Sequence, residues 1–122
     1  MNTTSPTSHQ HQRQLQQRRT ALQREIRATL VRIDADRYGA LADQVHDTKD
    51  QAVAQLLVET GNAEVQRDWQ ELRDVDAALE RITRGTYGTC AACGTVIPAE
   101  RLAAYPTAKR CLPCQTRHEQ KR

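Results

Sequence analysis

Phenylalanine is absent from this 122-residue chain, and only four aromatic side chains appear: Tyr38, Trp69, Tyr87 and Tyr105. A globular α/β enzyme of this size normally brings more aromatic and β-branched side chains to fill its core. Long helices rich in Ala, Leu, Arg, Gln and Glu need much less bulk. The composition therefore favours an elongated helical protein over a compact enzyme.

The chain also lacks any long apolar run. No stretch approaches the roughly 18 apolar residues of a membrane-spanning helix. The polar first 14 residues contain no apolar segment of the kind found in secretory signals. We therefore expect a cytoplasmic protein without membrane attachment.

Neither sign of charge dominates. The net charge is +3, from 18 basic and 15 acidic residues, which is too balanced to require a nucleic-acid partner through counterion release. The arginines are interleaved with glutamines rather than with aromatics, so no platform for stacking bases is visible. Solvated helix faces are the simpler interpretation, and we expect no sequence-specific DNA binding.

Proline is absent between Thr7 and Ile97, and apolar residues recur through this region at helical spacing. The first stripe comprises Leu15, Leu22, Ile26, Leu30, Ile33, Leu41 and Val45. The second comprises Val53, Leu56, Leu57, Val65, Trp69, Leu72, Val75, Leu79 and Ile82, whose later intervals are typical of a coiled-coil seam. Residues 1–14 are rich in Thr, Ser, Gln and His, and we expect a disordered tail there.

Two such helices, joined near His46 to Asp50, would bury their stripes by folding into an antiparallel hairpin. The sequence therefore predicts a mainly α protein with a long coiled-coil hairpin over residues 15–85 and its tip near residues 46–52. A hairpin that buries its own seam has little need of a partner, so we expect a monomer. Gly61 leaves two possibilities open, a kink in the second helix or a tolerated weak turn.

Four cysteines stand in two pairs, Cys90 with Cys93 and Cys111 with Cys114, separated by 17 residues. In a reducing compartment this spacing indicates a tetrahedral four-cysteine zinc site rather than disulfides. Four ligands leave no open position, so the single Zn²⁺ is expected to be structural and the protein not to be an enzyme. Zinc binding, worth roughly 10–16 kcal/mol, would order a small finger with a short C-terminal helix over residues 86–122.

The residues around these cysteines resemble the zinc-finger signature of the DksA/TraR family in order and spacing. They are Ala78-Leu-Glu-Arg-Ile82, Gly85-Thr-Tyr-Gly88, Cys90-x-x-Cys93-Gly94, Ile97, Arg101-Leu102, Pro106 and Cys111-x-x-Cys114-Gln115. Before this signature, the predicted helical hairpin is similar to the family in architecture.

The predicted tip contains Asp47-Thr-Lys-Asp50-Gln-Ala52, which is similar to the family's Asp-x-x-Asp-x-Ala tip. Taken alone, the motif also fits a helix N-cap followed by a first-turn carboxylate. The resemblance implies a regulator that inserts its coiled coil into the secondary channel of bacterial RNA polymerase and changes the stability of promoter complexes. It gives Asp47 and Asp50 the effector role and Ala52 a close-packing role.

Well-known members of this family bind the alarmone ppGpp through basic residues on the second helix and around the finger. The corresponding positions here are Asp74, Tyr105 and Gln115. None is cationic, whereas a phosphate-rich ligand needs cations. We therefore expect a weak or absent response to ppGpp.

Three alternatives stay open. A zinc-finger adaptor whose coiled coil docks on another partner would make Asp47 and Asp50 dispensable caps. A nucleic-acid-binding finger would need a base-reading helix, for which Arg117, Lys121 and Arg122 are few and close to the end of the sequence. A thiol redox enzyme would need a thioredoxin-like context that the pattern does not contain.

Overall fold

The computed structural model describes residues 6–121, with side chains described from Ser8 onward. Five helices follow in chain order: α1 (Pro6–Ala42), α2 (Gln51–Glu59), α3 (Ala63–Arg84), α4 (Ala99–Ala104) and α5 (Leu112–Gln120). Within the described residues, β structure is limited to an isolated antiparallel bridge between Thr89 and Val96. The predicted mainly α fold class is confirmed. No helix in this part of the chain is long and apolar enough to cross a membrane.

The chain divides into two compact units. The first, which we call the helical unit, is Gln16–Asp76. The second, the finger unit, combines the described part of Met1–Leu15 with Ala77–Arg122.

In the helical unit, α1 and α3 run antiparallel. Arg19 Nε lies 2.6 Å from Asp76 Oδ1, and Arg32 Nη2 lies 3.3 Å from Glu64 Oε1. Ascending positions in α1 therefore pair with descending positions in α3, as an antiparallel hairpin requires.

Apolar side chains at helical spacing fill the core of this unit. They are Leu22, Ile26, Leu30, Leu41, Ala42, Val45, Val53, Leu57, Val65, Trp69, Leu72 and Val75. Burying each of the larger ones contributes roughly 1.5–3 kcal/mol, which offsets the entropy lost in ordering the helices. Two predicted members of the apolar stripes in this unit are exposed: Ile33 is 42% exposed and Leu56 is 45% exposed.

Helix α1 is broken at Asp34, whose φ of −166° and ψ of 96° are extended rather than helical. Asp34 Oδ1 accepts a hydrogen bond from the Arg37 N–H at 3.0 Å, so this side chain caps the part of α1 that follows. The sequence has neither Gly nor Pro at the break. The expectation of one uninterrupted helix across this position is therefore wrong.

The loop 43–50 joins α1 to α2 and contains the predicted acidic tip. After the break at Asp34 the chain runs back along α1: Arg27 Nε donates to Ala42 O at 3.4 Å, and Arg19 Nη2 donates to His46 O at 2.6 Å. The loop thus lies beside α1 rather than at the end of a hairpin, which corrects the predicted tip near 46–52. Folding back lets the apolar side chains of residues 41–57 join the common core.

Gly61 separates α2 from α3 and does not kink a continuous helix. Its φ is +65°, a left-handed conformation that favours glycine. Asn62 Oδ1 then accepts from the Val65 N–H at 2.9 Å and caps the start of α3.

The finger unit includes the beginning of α1. His11 is only 8% exposed, and its ring centroid lies 5.5 Å from that of Tyr87. Leu15 is buried as well. The prediction of a disordered tail is therefore wrong for residues 6–14, because the segment has packing partners that its composition does not reveal. Residues 1–5 of that tail lie outside the described residues.

Candidate metal centre and acidic loop

The structure brings the four cysteines of the two pairs together. The sulfur atoms of Cys90, Cys93, Cys111 and Cys114 all lie within 4.8 Å of one another. Zinc–thiolate bonds of about 2.3 Å in a tetrahedron place the sulfurs about 3.8 Å apart. The 3.7 Å separation between the sulfurs of Cys93 and Cys111 matches that geometry. The residues present therefore fit one Zn²⁺.

The first pair lies in a short turn that hydrogen bonds close tightly. The Cys90 N–H donates to Thr95 O at 2.8 Å, and the Gly94 N–H donates to Cys90 O at 2.9 Å. Gly94 has a φ of +78°, which a residue with a Cβ adopts only with strain. The Cys93 N–H points back at Cys90 Sγ at 3.4 Å, the arrangement that favours a thiolate.

The second pair lies at the start of α5. Cys111 is the N-cap residue, and Pro113 falls in the first turn, where its missing N–H would have no partner within the helix. Cys114 follows in the same turn and is buried. The positive end of the helix dipole therefore faces the two thiolates.

The pKa values of the cysteine thiols are shifted in opposite directions by their surroundings. A backbone hydrogen bond from Cys111 is the main reason that the pKa of Cys90 falls to about 6. Arg117 Nη2 donates to Cys114 Sγ at 3.1 Å and lowers the pKa of that thiol. Burial and the three neighbouring sulfurs outweigh Arg117, so the pKa of Cys114 rises to about 11. Such crowding of sulfurs is relieved by a bound dication.

A small apolar cluster and hydrogen bonds to backbone carbonyls hold this site in place. Tyr87 donates its hydroxyl to Pro106 O at 2.8 Å, and burial raises the pKa of Tyr87 to about 12. Arg101 Nε donates to Arg110 O at 3.0 Å. The buried members of the cluster are Cys90, Ile97, Leu102 and Cys114.

The loop 43–50, which we call the acidic loop, presents the carboxylates of Asp47 and Asp50 on the surface. Asp47 Oδ1 accepts from the Lys49 N–H at 2.9 Å. Asp50 is the N-cap of α2, with Oδ1 accepting from the Ala52 and Val53 N–H groups at 3.0 and 3.1 Å. Each side chain keeps its other oxygen free of these backbone bonds. Ala52, predicted to pack closely, is exposed.

Side chains from α1 and α3 hold the acidic loop, and the sequence analysis did not find them. Asp76 binds Arg19 through Oδ1 at 2.6 Å and accepts from the Thr48 hydroxyl through Oδ2 at 2.7 Å. Arg19 also donates to His46 O. These residues lie up to 57 positions apart, a separation at which periodicity carries no information.

The prokaryotic DksA/TraR C4-type zinc finger matches residues 85–120 of this chain. A stretch of 100 residues is 32% identical to the RNA polymerase-binding transcription factor DksA of Caulobacter vibrioides, covering 80% of this chain and 66% of that protein. The chain belongs to the DksA/TraR family. The resemblance noted in the sequence is thereby confirmed, and so are the zinc finger and its single zinc ion.

Other comparisons extend this family assignment. The transcription factor DksA2 from Pseudomonas aeruginosa has a similar structure, with a TM-score of 0.64 and 27% identity over 98% of this chain and 88% of that one. A protein of Aquifex aeolicus is 43% identical over 60 residues, covering 49% of this chain and 39% of that protein. The chain thus spans well under half the length of this relative.

Each of the three positions that the sequence analysis matched to the family's alarmone contacts has its own neighbours. Asp74 is in the helical unit and accepts from Gln70 Nε2 at 3.2 Å. Tyr105 and Gln115 are in the finger unit, and each has an arginine beside it. The Arg101 guanidinium lies 5.6 Å from the Tyr105 ring, and Arg110 Nη1 donates to Gln115 Oε1 at 3.3 Å.

Arg117 is the zinc-site residue that the sequence analysis missed. Its guanidinium reaches the Cys114 sulfur because the two residues are three apart on α5, and such residues share one face of a helix. The predicted C-terminal helix, taken together with this spacing, was the signal that could have found it.

Proposed function

We propose that this chain is a DksA-like transcription regulator of the bacterial cytoplasm, which binds RNA polymerase and acts through the secondary channel. It acts by binding rather than by catalysis, as a monomer, and without reading a DNA sequence. The observation that carries the proposal is the combination of a four-cysteine finger of the family type with an antiparallel pair of helices, α1 and α3, between which the chain carries Asp47 and Asp50.

The acidic loop is the effector in this proposal. The surface position of the two carboxylates supports this role, since each retains an oxygen outside its capping bonds. Near the polymerase active centre, which is rich in nucleotide-contacting charge and Mg²⁺, two added negative charges change the local potential. That change shifts the stability of open promoter complexes.

The finger has a structural role. Zinc, when bound, supplies the free energy that orders residues with too small an apolar core of their own. Cys90, Cys93, Cys111 and Cys114 would hold it, and Arg117 would offset part of the negative charge of the four thiolates.

A photo-crosslink tests where the chain binds. A photoreactive residue at exposed Gln51, beside the acidic loop, is expected to crosslink to the rim or interior of the secondary channel of the source organism's RNA polymerase. The same residue at exposed Gln70, on α3, is the matched control. Adducts at Gln51 that map elsewhere on polymerase, or to another protein, would contradict the proposal and favour the adaptor.

We also expect little response to ppGpp. The three corresponding positions are not cationic, and the nearby Arg101 and Arg110 are engaged with protein acceptors. Calorimetric titration of ppGpp into the polymerase complex is expected to give no heat beyond that of polymerase alone. A gain matching that of a responsive DksA would contradict this expectation.

A further inference from the structure

The two interruptions of the helical unit lie side by side. Arg32 of α1 pairs with Glu64 of α3 at 3.3 Å. The break at Asp34 comes two residues after Arg32, and Gly61 comes three residues before Glu64. In an antiparallel pair, both breaks therefore fall within about one helical turn of the same ion pair.

The register of α1 against α3 points to a second arrangement. Two pairs, Arg19 with Asp76 and Arg32 with Glu64, define this register. If both helices ran straight through the breaks, the same register would place the turn of the helical hairpin near residue 48, which lies in the acidic loop. The pairing already formed is thus the pairing of a longer hairpin with the acidic loop at its end.

In the structure, the segment between the breaks is folded back instead. We call residues 35–59 the arm. Three α1 side chains bind successive carbonyls of the arm: Arg27 binds Ala42 O, Gln23 binds Val45 O at 3.3 Å, and Arg19 binds His46 O. Their descending order shows that the arm returns along α1.

Both breaks are stabilised by groups that serve only the folded-back form. Asp34 caps the second part of α1, and Asn62 caps α3. Gly61 supplies the positive φ of the turn between α2 and α3, and there is open space where its Cβ would lie. In a straight helix none of these three groups would be needed.

The sequence also continues the heptad spacing of apolar residues around the breaks, where the folded-back form leaves those side chains exposed. Ile33 follows buried Ile26 by one heptad, and Val58 precedes buried Val65 by one heptad. Ile33 is 42% exposed and Val58 is 55% exposed, whereas Ile26 and Val65 are both fully buried. Straight helices would carry both side chains onto the seam of the longer hairpin.

We infer that Asp34 and Gly61 form one hinge, about which the arm moves between the folded-back position and an extension of the α1–α3 pair. The Arg19–Asp76 ion pair fits both forms, because it belongs to the shared register. The bonds from Asp76 to Thr48 and from Arg19 to His46 O are the latch that opening must break. The consequence, that opening projects the acidic loop toward polymerase, rests on the function proposed above.

Different interactions stabilise the two forms. Folding back buries Leu41, Val45, Val53 and Leu57 in the common core and closes the latch. Extension removes the left-handed residue, restores helix at both breaks and gives Ile33 and Val58 a seam. A partner that contacts only the extended loop shifts this equilibrium by its preference for that form.

A distance measurement on the full, zinc-loaded chain tests the hinge. Spin labels carried by noncanonical residues at exposed Gln17 and Gln44 leave the four cysteines untouched. In the extended form about 27 residues of helix separate the labels, which corresponds to about 40 Å at 1.5 Å per residue. In the folded-back form the labels lie on neighbouring segments, at well under half that distance. Double electron–electron resonance resolves the two populations.

Gly61→Ala shifts the balance, because Ala disfavours the positive φ and favours a continuous helix. The expected result is an increase of about tenfold in the ratio of long to short distances. Asp34→Ala acts in the same direction through loss of its cap. Gly39→Ala is the matched control: Gly39 is helical with open space around it, so this change leaves the ratio within about twofold.

The second part of the experiment measures the same distances with RNA polymerase bound. The unmodified chain is expected to show mainly the short distance alone and mainly the long distance when bound. A single short distance in the free Gly61→Ala and Asp34→Ala variants would overturn the hinge, as would a single long distance in the unmodified free chain. A hinge that moves in the free chain, with no binding to polymerase, would retain the hinge and reject the proposed function.

Discussion

The finger unit and the helical unit differ in the sequence separation of the contacts that hold them. Around the cysteines, several bonds join near neighbours, such as Cys90 to Thr95 and Cys93 to Cys90, and the bond from Tyr87 to Pro106 spans 19 positions. In the helical unit, Arg19 meets Asp76 across 57 positions. Local bonds and a metal specify one arrangement, whereas distant helix contacts allow the same segments to be stacked in more than one way. The difference explains why the sequence identifies the metal ligands of the finger but not the folded-back path of the arm.

Removing zinc should produce the largest difference in folding between the two units. With a chelator, residues 86–121 are expected to lose their amide protection, because zinc binding of roughly 10–16 kcal/mol no longer orders them. Trp69 is buried in the helical unit and should keep its emission spectrum. Hydrogen exchange and fluorescence on one sample check both outcomes. A simultaneous loss of Trp69 burial would mean that the units do not fold separately.

Leu72→Ala should destabilise the helical unit and leave the zinc site unaffected. Leu72 is fully buried in the helical unit, so truncation is expected to lower its free energy of unfolding by about 2–5 kcal/mol. Leu56→Ala is the control, because Leu56 is 45% exposed and should cost well under half as much. Urea unfolding followed at Trp69 measures both, and zinc affinity should stay unchanged. Equal losses in the two variants would contradict the described core.

Asp50 tests whether a short-range bond also matters in the helical unit. Asp50→Ala removes the N-cap of α2 and is expected to cost about 1 kcal/mol. Asp50→Asn keeps an oxygen that accepts from the Ala52 and Val53 N–H groups, so it should be nearly neutral. Thermal unfolding compares them. Equal destabilisation would show that the charge, rather than the cap, stabilises the helix.

The smallest expected effect comes from Asp68. Burial, followed by the charges of Glu25, Glu64 and Glu71, raises the pKa of this carboxyl above its ordinary 3.8. Because the pKa is higher in the folded state, ionised Asp68 lowers stability above the raised pKa and has no such effect below pH 3.8. Asp68→Asn should therefore stabilise the unit by a few tenths of a kcal/mol at neutral pH, less in high salt.

The pH dependence of that gain is its check. Urea unfolding of Asp68→Asn and the unmodified chain should give a difference at pH 7 that disappears near pH 3.8. If the stability difference were the same near pH 3.8 as at pH 7, the effect of Asp68→Asn would come from packing and not from charge.

Much of the finger and of the helical pairing could be predicted. The Cys-x-x-Cys pairs specify ligands through local geometry, and the apolar spacing from Val65 to Val75 identifies a buried helix face. Gly61 was recognised as a weak point, and the structure shows it to be a turn between helices.

The break at Asp34 and the helical start of α1 could not be predicted. Nothing at Asp34 interrupts a helical sequence, and its capping role appears only when the arm folds back. Residues 6–14 contain no apolar side chain apart from Pro6, and their helix depends on His11 and Leu15 being buried. Both features arise from contacts distant in the sequence, which composition and periodicity do not report.

The lifetime of an open complex at a ribosomal RNA promoter tests the central claim most directly. The source organism's RNA polymerase would be measured alone, with the unmodified chain, with Asp47→Asn/Asp50→Asn, and with Asp43→Asn as a control for charge elsewhere in the loop. The double variant keeps the capping oxygens and removes only the charges. We expect the unmodified chain and Asp43→Asn to change the lifetime alike, and the double variant to bind polymerase without changing it. An unchanged lifetime with the unmodified chain at saturating concentration would contradict the proposed regulatory function.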